Sequence, residues 1–192
     1  MTFSEAAHAL LRGEIASAAA LADRVLSLHG TGYSNSYLLS IYGGLQVAIH
    51  EAADTTAALL PLVDQALVLA PGYVTWHAVA AAAALAAGDR ARARRELNVV
   101  SRNEFGDLVR DSTWTAAMTF VAPAVAAVGT RAEIETLYRL LEPHEGRFSW
   151  NGLTAQRPID HAMALLADAL DRPEAAARHR HVAAAMVAAV SD

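Results

Sequence analysis

The chain of 192 residues contains no cysteine. This absence excludes disulfide bonds and thiolate metal sites, and it is compatible with a cytoplasmic location. Only 18% of the residues are charged and 6% are aromatic, whereas 54% are hydrophobic, and alanine is the most frequent of these. That composition argues against a disordered chain. Because alanine favours helices but buries little area, the core must rest on the scattered larger side chains.

Long apolar runs and signal-peptide features are also lacking. The longest uninterrupted apolar run, residues 78–87, is too short to span a bilayer. The opening segment, MTFSEAAHALLRGE, lacks the basic start and leucine-rich core of a signal peptide. The net charge is −5 at pH 7, and the densest basic stretch, RARARR at 90–95, lies on a predicted helix that spreads its arginines around the surface. We therefore expect a cytoplasmic protein without membrane association or direct nucleic-acid binding.

A repeat pattern organises the rest of the chain. Five predicted helices each follow a small or acidic helix breaker, and successive breakers are 34 to 42 residues apart. A tetratricopeptide repeat has a period near 34 residues, and a longer interval can hold the same two helices plus extra loop. The five breakers are Gly13, Asp54, Gly88, Gly129 and Asp171.

Positions 5, 9 and 12 after each breaker predict the inward face of the helix that follows. Offsets of four and three residues place these positions on one helical face. All are apolar except Arg180, which belongs to the last helix, where a capping repeat would meet solvent. The predicted inward residues are Ala18, Ala22, Val25, Leu59, Val63, Ala66, Ala93, Leu97, Val100, Ile134, Tyr138, Leu141, Ala176, Arg180 and Ala183.

The sequence therefore predicts an all-α, right-handed α-α superhelix of about five tetratricopeptide-like helix pairs, in one domain over residues 1–192. No run of alternating strand pattern is visible, and the segments HGTGYSNS and PHEGRFSWNG predict turn-rich connectors. Trp114 is expected to open a helix and wedge between repeats. The predicted pairs cover residues 3–28, 34–69, 73–102, 112–142 and 155–189.

A family resemblance covers residues 95–188. FGDLVRDSTW at 105–114 and LYRLLEPHEGR at 137–147 are its most specific segments. They resemble the C-terminal tetratricopeptide-like repeats of actinobacterial-type signal-transduction ATPases, some linked to adenylate cyclase domains and others to LuxR-type DNA-binding domains. The resemblance implies that the repeats bind partners or effectors and relay that state to an output domain. No glycine loop ending in Gly-Lys-Ser/Thr occurs, so the ATPase module is absent and no family catalytic residue carries over.

The polar residues predict no catalytic, cofactor-binding or metal-binding site. His179 and His181 are two positions apart, so on a helix they point in different directions and make a poor metal pair. Four further residues could be brought together by folding, and we interpret them as a satisfied or exposed polar cluster. They are His144, Glu145, Asp160 and His161.

The aromatic residues predict the candidate contact surface. First helices line the concave surface of tetratricopeptide arrays, and four residues on predicted first helices are candidates for partner contacts: Tyr37, Trp76, His77 and Trp114. The alternative is that these rings pack between repeats. The predicted groove is short of lysine, arginine and asparagine, so an apolar helix or a small apolar effector suits it better than an acidic peptide tail.

Three functional hypotheses follow. The leading one is a non-catalytic protein–protein interaction or effector-sensing module of a bacterial signalling or transcription regulator, needing no cofactor. The second is a helical protein that binds or transforms a small molecule in a pocket between helices. The third is a structural domain that self-associates through an exposed Ala/Leu face.

Overall fold

The computed structural model describes residues 3–26 and 35–191, and this part of the chain is mostly helical. Two short strands, β1 Phe148–Trp150 and β2 Ala155–Pro158, form an antiparallel hairpin, and 3-10 turns cover Thr56–Leu59, Arg102–Phe105 and Glu142–His144. The described ranges hold ten α-helices: α1 Phe3–Leu11, α2 Ile15–Leu26, α3 Asn35–Ala52, α4 Leu60–Leu69, α5 Val74–Ala86, α6 Arg90–Val100, α7 Trp114–Val128, α8 Arg131–Leu141, α9 Ile159–Ala169 and α10 Pro173–Ser191. The predicted all-α class is confirmed, and the short hairpin is an element that the sequence did not predict.

Two helix pairs begin later than predicted. The last pair was predicted to begin at residue 155, but residues 155–158 form β2, and α9 begins only after Pro158. The fourth pair, predicted from residue 112, begins at Trp114, the residue that was expected to open its first helix. The Oδ1 of Asp111 accepts hydrogen bonds from the backbone N and the Oγ1 of Thr113, at 2.8 and 2.7 Å, which holds this short segment as a turn.

Four of the five predicted breakers adopt the same turn. Gly13, Asp54, Gly88 and Asp171 have φ values of 71°, 53°, 81° and 58°. The next backbone N–H in each case reaches the carbonyl oxygen five residues earlier, at 2.9 Å. This bond and the left-handed residue define a Schellman turn, which glycine forms without steric cost and aspartate tolerates. The pairs α1–α2, α5–α6 and α9–α10, and the connection after α3, therefore share one turn geometry.

The breaker at Gly129 works differently. Its φ is −75° and its ψ is 162°, so it is extended. Thr130 then caps α8 through a reciprocal capping box with Glu133, whose carboxylate accepts the backbone N–H of Thr130 at 2.7 Å. A Cβ at position 129 would lie 2.3 Å from the carbonyl oxygen of Val125, so a side chain does not fit there without a backbone shift.

The predicted inward register is confirmed at most positions. Ala66 is only partly buried, Arg180 is exposed as expected for a terminal helix, and the side chain of Val25 lies outside the described part. The remaining twelve predicted positions are buried: Ala18, Ala22, Leu59, Val63, Ala93, Leu97, Val100, Ile134, Tyr138, Leu141, Ala176 and Ala183.

The helices pack in chain order. In four of the five pairs the two helices pack on each other, whereas α3 meets the 3-10 turn Thr56–Leu59 before α4. The first helices also pack on one another from α5 to α7 and from α7 to α9. The largest hydrophobic cluster spans α5 to α10, while smaller clusters join α1 to α3 and α3 to α5. Trp76 on α5 lies against Gly43 on α3, where a Cβ would approach the ring to 2.7 Å.

Candidate functional site

A β-hairpin that the helix periodicity does not predict forms the centre of the candidate site. Its strands pair Trp150 with Ala155 and Phe148 with Pro158. Asn151 turns the chain, because its Oδ1 accepts the backbone N–H groups of Leu153 and Thr154, at 3.0 and 2.9 Å. An Asn side chain that bonds the backbone two and three residues later is typical of a tight turn.

This hairpin folds back onto α3 and α7. The Nδ2 of Asn151 donates to the carbonyl oxygen of Gly44 at 3.0 Å, and the Nη2 of Arg157 donates to that of Glu51 at 2.8 Å. Arg157 also forms an ion pair with Asp54. The backbone N–H of Trp150 donates to Oγ1 of Thr115, on α7, at 3.1 Å. The hairpin therefore ties the second helix pair to the fourth.

Two cavities lie along the hairpin. The larger, of about 360 Å³, lies between α1, α3, the hairpin and the end of α10. Its walls are mostly apolar, and its polar lining residues are Glu51, Gln156 and Arg157. The smaller cavity, of about 150 Å³, lies between α3, α5, α7, β2 and α9, and it shares Glu51 and Arg157 with the larger one. These two residues therefore stand at the boundary of both cavities.

The titratable groups of the cavities have altered proton affinities. Burial raises the pKa of Glu51 to about 7, a change that Arg157 opposes and Asp54 reinforces. Burial and the charge of Arg157 lower the pKa of His161, and Asp54 acts in the opposite direction. Glu51 can therefore gain or lose a proton near neutral pH, which is common for groups at functional sites and also occurs in structural ion-pair networks.

Gln156 carries the one unsatisfied polar atom in the buried part that the structure describes. Its side-chain Nε2 is buried and has no hydrogen-bond partner there. The residue lies on β2 and lines the larger cavity. Buried polar atoms in proteins are nearly always paired, so this donor is an exception within the described part of the fold.

A second polar cluster is buried and fully bonded. Asp160 is 1% exposed and His179 is 0% exposed. The Oδ1 of Asp160 lies 2.7 Å from Nδ1 of His179, and Nε2 of that ring lies 2.9 Å from the hydroxyl of Tyr138. The other carboxylate oxygen of Asp160 accepts the backbone N–H of Gly146 at 2.7 Å. These bonds join α8, α9 and α10, so we assign the cluster a structural role.

The predicted polar cluster is therefore divided between three places. Asp160 belongs to the buried network, and an Oε1 of Glu145 lies 3.9 Å from Nε2 of His179 at its edge. His144 packs instead against Trp114, with ring centroids 5.3 Å apart and ring planes tilted by 51°. His161 lines the smaller cavity beside Arg157. Within residues 3–26 and 35–191, no three metal-ligating side chains gather, and His181 is exposed while His179 is buried.

Three of the predicted partner-contact residues, Trp76, His77 and Trp114, lie in different surroundings. Trp114 is only 5% exposed and belongs to the largest cluster, which matches the alternative that its ring packs between helix pairs. Trp76 packs towards α3, whereas Nδ1 of His77 lies 2.7 Å from a carboxylate oxygen of Glu96 on α6. Tyr37 lies on α3, but its side chain is outside the described part of the chain.

Sequence reasoning missed Glu51, Gln156 and Arg157, although one local signal pointed to their setting. Asn151-Gly152 follows a short aromatic strand, and an Asn-Gly pair between two strands is the strongest short-range hairpin signal. An Asn-Gly turn at this position predicts a strand on either side of it. It does not predict where the hairpin docks.

Comparisons with known proteins do not name a relative. No family model, curated protein or solved structure matches this chain.

Proposed function

We propose that this chain is a non-catalytic, tetratricopeptide-like module that senses a small effector in the cytoplasm, within a bacterial signalling or transcription regulator. Three features support the repeat architecture: the shared turn at four of the five breakers, the common inward register and the packing of helices in chain order. The resemblance of residues 95–188 to regulator repeats supports the signalling context.

The docked hairpin favours a small effector over an apolar helix as the occupant. It lies against α3 and α7, two of the first helices that would line a concave surface. The larger cavity beside it measures about 360 Å³, within the range of small-molecule sites. Its lining joins an apolar wall to a few polar residues, as is common in small-molecule sites, and α1, α3, the hairpin and α10 all contribute to it. This concave, mostly apolar cavity is the observation that carries the proposal.

The position of the cavity suggests how binding would be relayed. Leu10 lies on α1, Val187 and Val190 lie on α10, and all three line the cavity with residues of α3 and the hairpin. An effector there would contact the first, second and last helix pairs at once. A ligand shifts a conformational equilibrium by its difference in affinity for the two states. An occupant with different affinities for a closed and an open arrangement would therefore change the relation between the ends of the array.

A binding experiment can test this function. Apolar molecules below about 300 Da and amphipathic helical peptides are screened by thermal shift, because a ligand of the folded state raises the melting temperature. We expect small-molecule binders that also slow amide exchange in 41–52 and 148–158. Ala52→Phe, which places a ring at the cavity wall, should abolish their effect, whereas Ala185→Phe, on an exposed part of α10 outside the cavity, should not. Stabilisation by helical peptides alone would contradict the proposal.

A second candidate rests on Glu51. A carboxyl group with a pKa of about 7 that lines a cavity is suited to act as a general base near neutral pH. The chain would then transform its ligand rather than only bind it. Mass spectrometry of a binder after long incubation distinguishes the two: an unchanged ligand favours sensing, and a product lost in Glu51→Gln favours catalysis.

A further inference from the structure

We propose that Asn151 is a modification site: its side chain condenses with the backbone nitrogen of Gly152, and the product frees the turn of the hairpin from α3. The pair at 151–152 is the only Asn-Gly sequence in the chain. The reaction consumes only water, so the inference goes beyond the proposed function and needs no effector.

The turn of the hairpin holds the Asn151 amide in one orientation. Its Oδ1 accepts the backbone N–H groups of Leu153 and Thr154, at 3.0 and 2.9 Å. Its Nδ2 donates to the carbonyl oxygen of Gly44 at 3.0 Å. The reversed amide would place its NH₂ group against two N–H donors and its oxygen against a carbonyl oxygen, so these partners fix the orientation.

The two N–H donors favour attack on the side-chain carbonyl carbon. When the backbone nitrogen of Gly152 bonds to Cγ of Asn151, negative charge develops on Oδ1, and the two N–H groups at that oxygen are arranged like an oxyanion hole. Gly152 has no Cβ to hinder its nitrogen, and its φ of 89° favours glycine at this position. The residue is also exposed, so water reaches the turn.

The reaction has two steps. The bond between the nitrogen of Gly152 and Cγ of Asn151 forms, the Cγ–Nδ2 bond breaks, and Nδ2 leaves as ammonia together with the proton of the backbone N–H. The resulting succinimide ring then adds one water molecule at either carbonyl carbon. Opening at Cγ gives aspartate, whereas opening at the backbone carbonyl gives isoaspartate, in which the main chain runs through the former side chain.

Both products lose the bond between the turn and α3. A carboxylate has no donor, so the oxygen that replaces Nδ2 would face the carbonyl oxygen of Gly44, to which the amide now donates. Arg157 on β2 keeps its own bonds to α3, so the hairpin stays attached at that strand. Phe148 on the hairpin and Ala48 on α3 line the larger cavity, and freeing the turn would loosen the wall between them.

Peptide mapping by mass spectrometry measures the conversion. The full chain is incubated in mildly alkaline buffer beside a synthetic peptide of residues 147–156, which carries the same Asn-Gly sequence without the fold. Because the turn supplies two donors to Oδ1, we expect Asn151 to convert at least about tenfold faster in the folded chain, while the exposed Asn98 and Asn103 stay intact. Equal or slower conversion in the folded chain would overturn the inference.

Asn151→Asp tests the consequence for the hairpin. It installs one product directly and keeps an acceptor for the turn, so it isolates the loss of the donor to Gly44. The backbone N–H of Trp150 donates to Thr115 in the docked hairpin, and its hydrogen exchange should become at least about fivefold faster. Asn98→Asp, at an exposed position of α6, adds the same charge and should leave this exchange unchanged. Unchanged exchange at Trp150 in Asn151→Asp would reject the release of the turn.

Neither measurement involves an effector, so failure of this inference is distinguishable from failure of the proposed function. If Asn151 converts no faster than in the peptide, the modification site is rejected and effector sensing stands. If no small molecule binds while Asn151 converts faster in the folded chain, the modification site stands and effector sensing is wrong.

Discussion

Glu133 on α8 and Glu51 on α3 are both partly buried, yet their surroundings are opposite. Burial acts to raise the pKa of Glu133, but hydrogen bonds from Arg94, Thr130 and Ser101 outweigh it and lower the pKa to about 2. At Glu51 burial prevails over the charge of Arg157, and the pKa rises to about 7. The carboxylate of Glu133 is thus held ionised, whereas that of Glu51 is destabilised by the fold.

The difference separates a junction between helix pairs from the lining of a cavity. The Nη1 of Arg94, on α6, donates to Glu133 at 2.6 Å, and Oγ of Ser101 donates at 2.7 Å, so each carboxylate oxygen has partners from the preceding helix pair. At Glu51, by contrast, the charge of Arg157 is the one influence that lowers the pKa, and burial outweighs it. The polar group that joins two helix pairs is saturated with hydrogen bonds, whereas the carboxyl that lines the cavity is not stabilised as an ion.

The largest loss of stability is expected at Asp160, because both of its carboxylate oxygens accept hydrogen bonds. Asp160→Ala would leave Nδ1 of His179 and the backbone N–H of Gly146 without their shared acceptor in the interior. Leaving a buried donor without a partner costs about 1–3 kcal/mol, so two lost bonds should cost about 2–6 kcal/mol. Urea unfolding at pH 7 should show a loss of that size.

Asp168→Ala provides the control on the same helix. Asp168 is exposed and pairs with the exposed Arg180, so its loss should cost less than about 1 kcal/mol. Equal losses of unfolding free energy in Asp160→Ala and Asp168→Ala would contradict a larger contribution of the buried network to stability.

The second-largest effect on stability is expected at Glu133, which joins α8 to α6 through Arg94. A pKa lowered from about 4.5 to about 2 stabilises the fold above pH 4.5, and this stabilisation is lost as the pH falls towards 2. After a discount for the partial exposure of Arg94, Glu133→Gln should cost about 2 kcal/mol at pH 7 and little at pH 2.5. Denaturant titrations at both pH values measure the change.

Glu135→Gln is the matched variant for this prediction. It removes an exposed ion pair with Arg131 on the same helix, so we expect a change below about 0.5 kcal/mol at either pH. A loss in Glu133→Gln that does not depend on pH would contradict the assignment of an ionised junction.

Glu51 should respond with the opposite sign. A carboxyl group whose pKa is raised to about 7 carries no penalty below pH 4.5, a growing one between 4.5 and 7, and the full one above 7. Glu51→Gln should therefore raise the free energy of unfolding by roughly 2 kcal/mol at pH 8 and leave it unchanged at pH 4.5.

The control for Glu51→Gln is Glu5→Gln on the exposed side of α1, which should stay within about 0.5 kcal/mol at both pH values. A Glu51→Gln variant that is less stable than the parent at pH 8 would contradict the raised pKa of Glu51 and its contrast with Glu133.

The periodic part of this comparison was accessible from sequence, and the cavity was not. Leu97 and Leu141 were predicted to be buried because spacing along one helix decides which face it hides. The breakers at Gly88 and Asp171 were predicted because few residues adopt the left-handed turn. Arg157 and Asp54, by contrast, are 103 positions apart, and no local pattern indicates that they meet. The hairpin strands are too short to show a period, so the side chains that they bring to the cavity were missed.

The smallest expected effect concerns the stability of the cavity wall itself. Gln156→Leu removes a buried donor that has no partner in the described structure and adds apolar surface beside an apolar cavity. Without ligand, the variant should be as stable as the parent or more stable by about 1 kcal/mol, because an unsatisfied buried group costs about 1–3 kcal/mol. Gln65→Leu, at an exposed site, should stay within about 0.5 kcal/mol. A clear loss of stability in Gln156→Leu would mean that the side chain is bonded within the fold, and the cavity would then resemble the saturated junction at Glu133 rather than contrast with it.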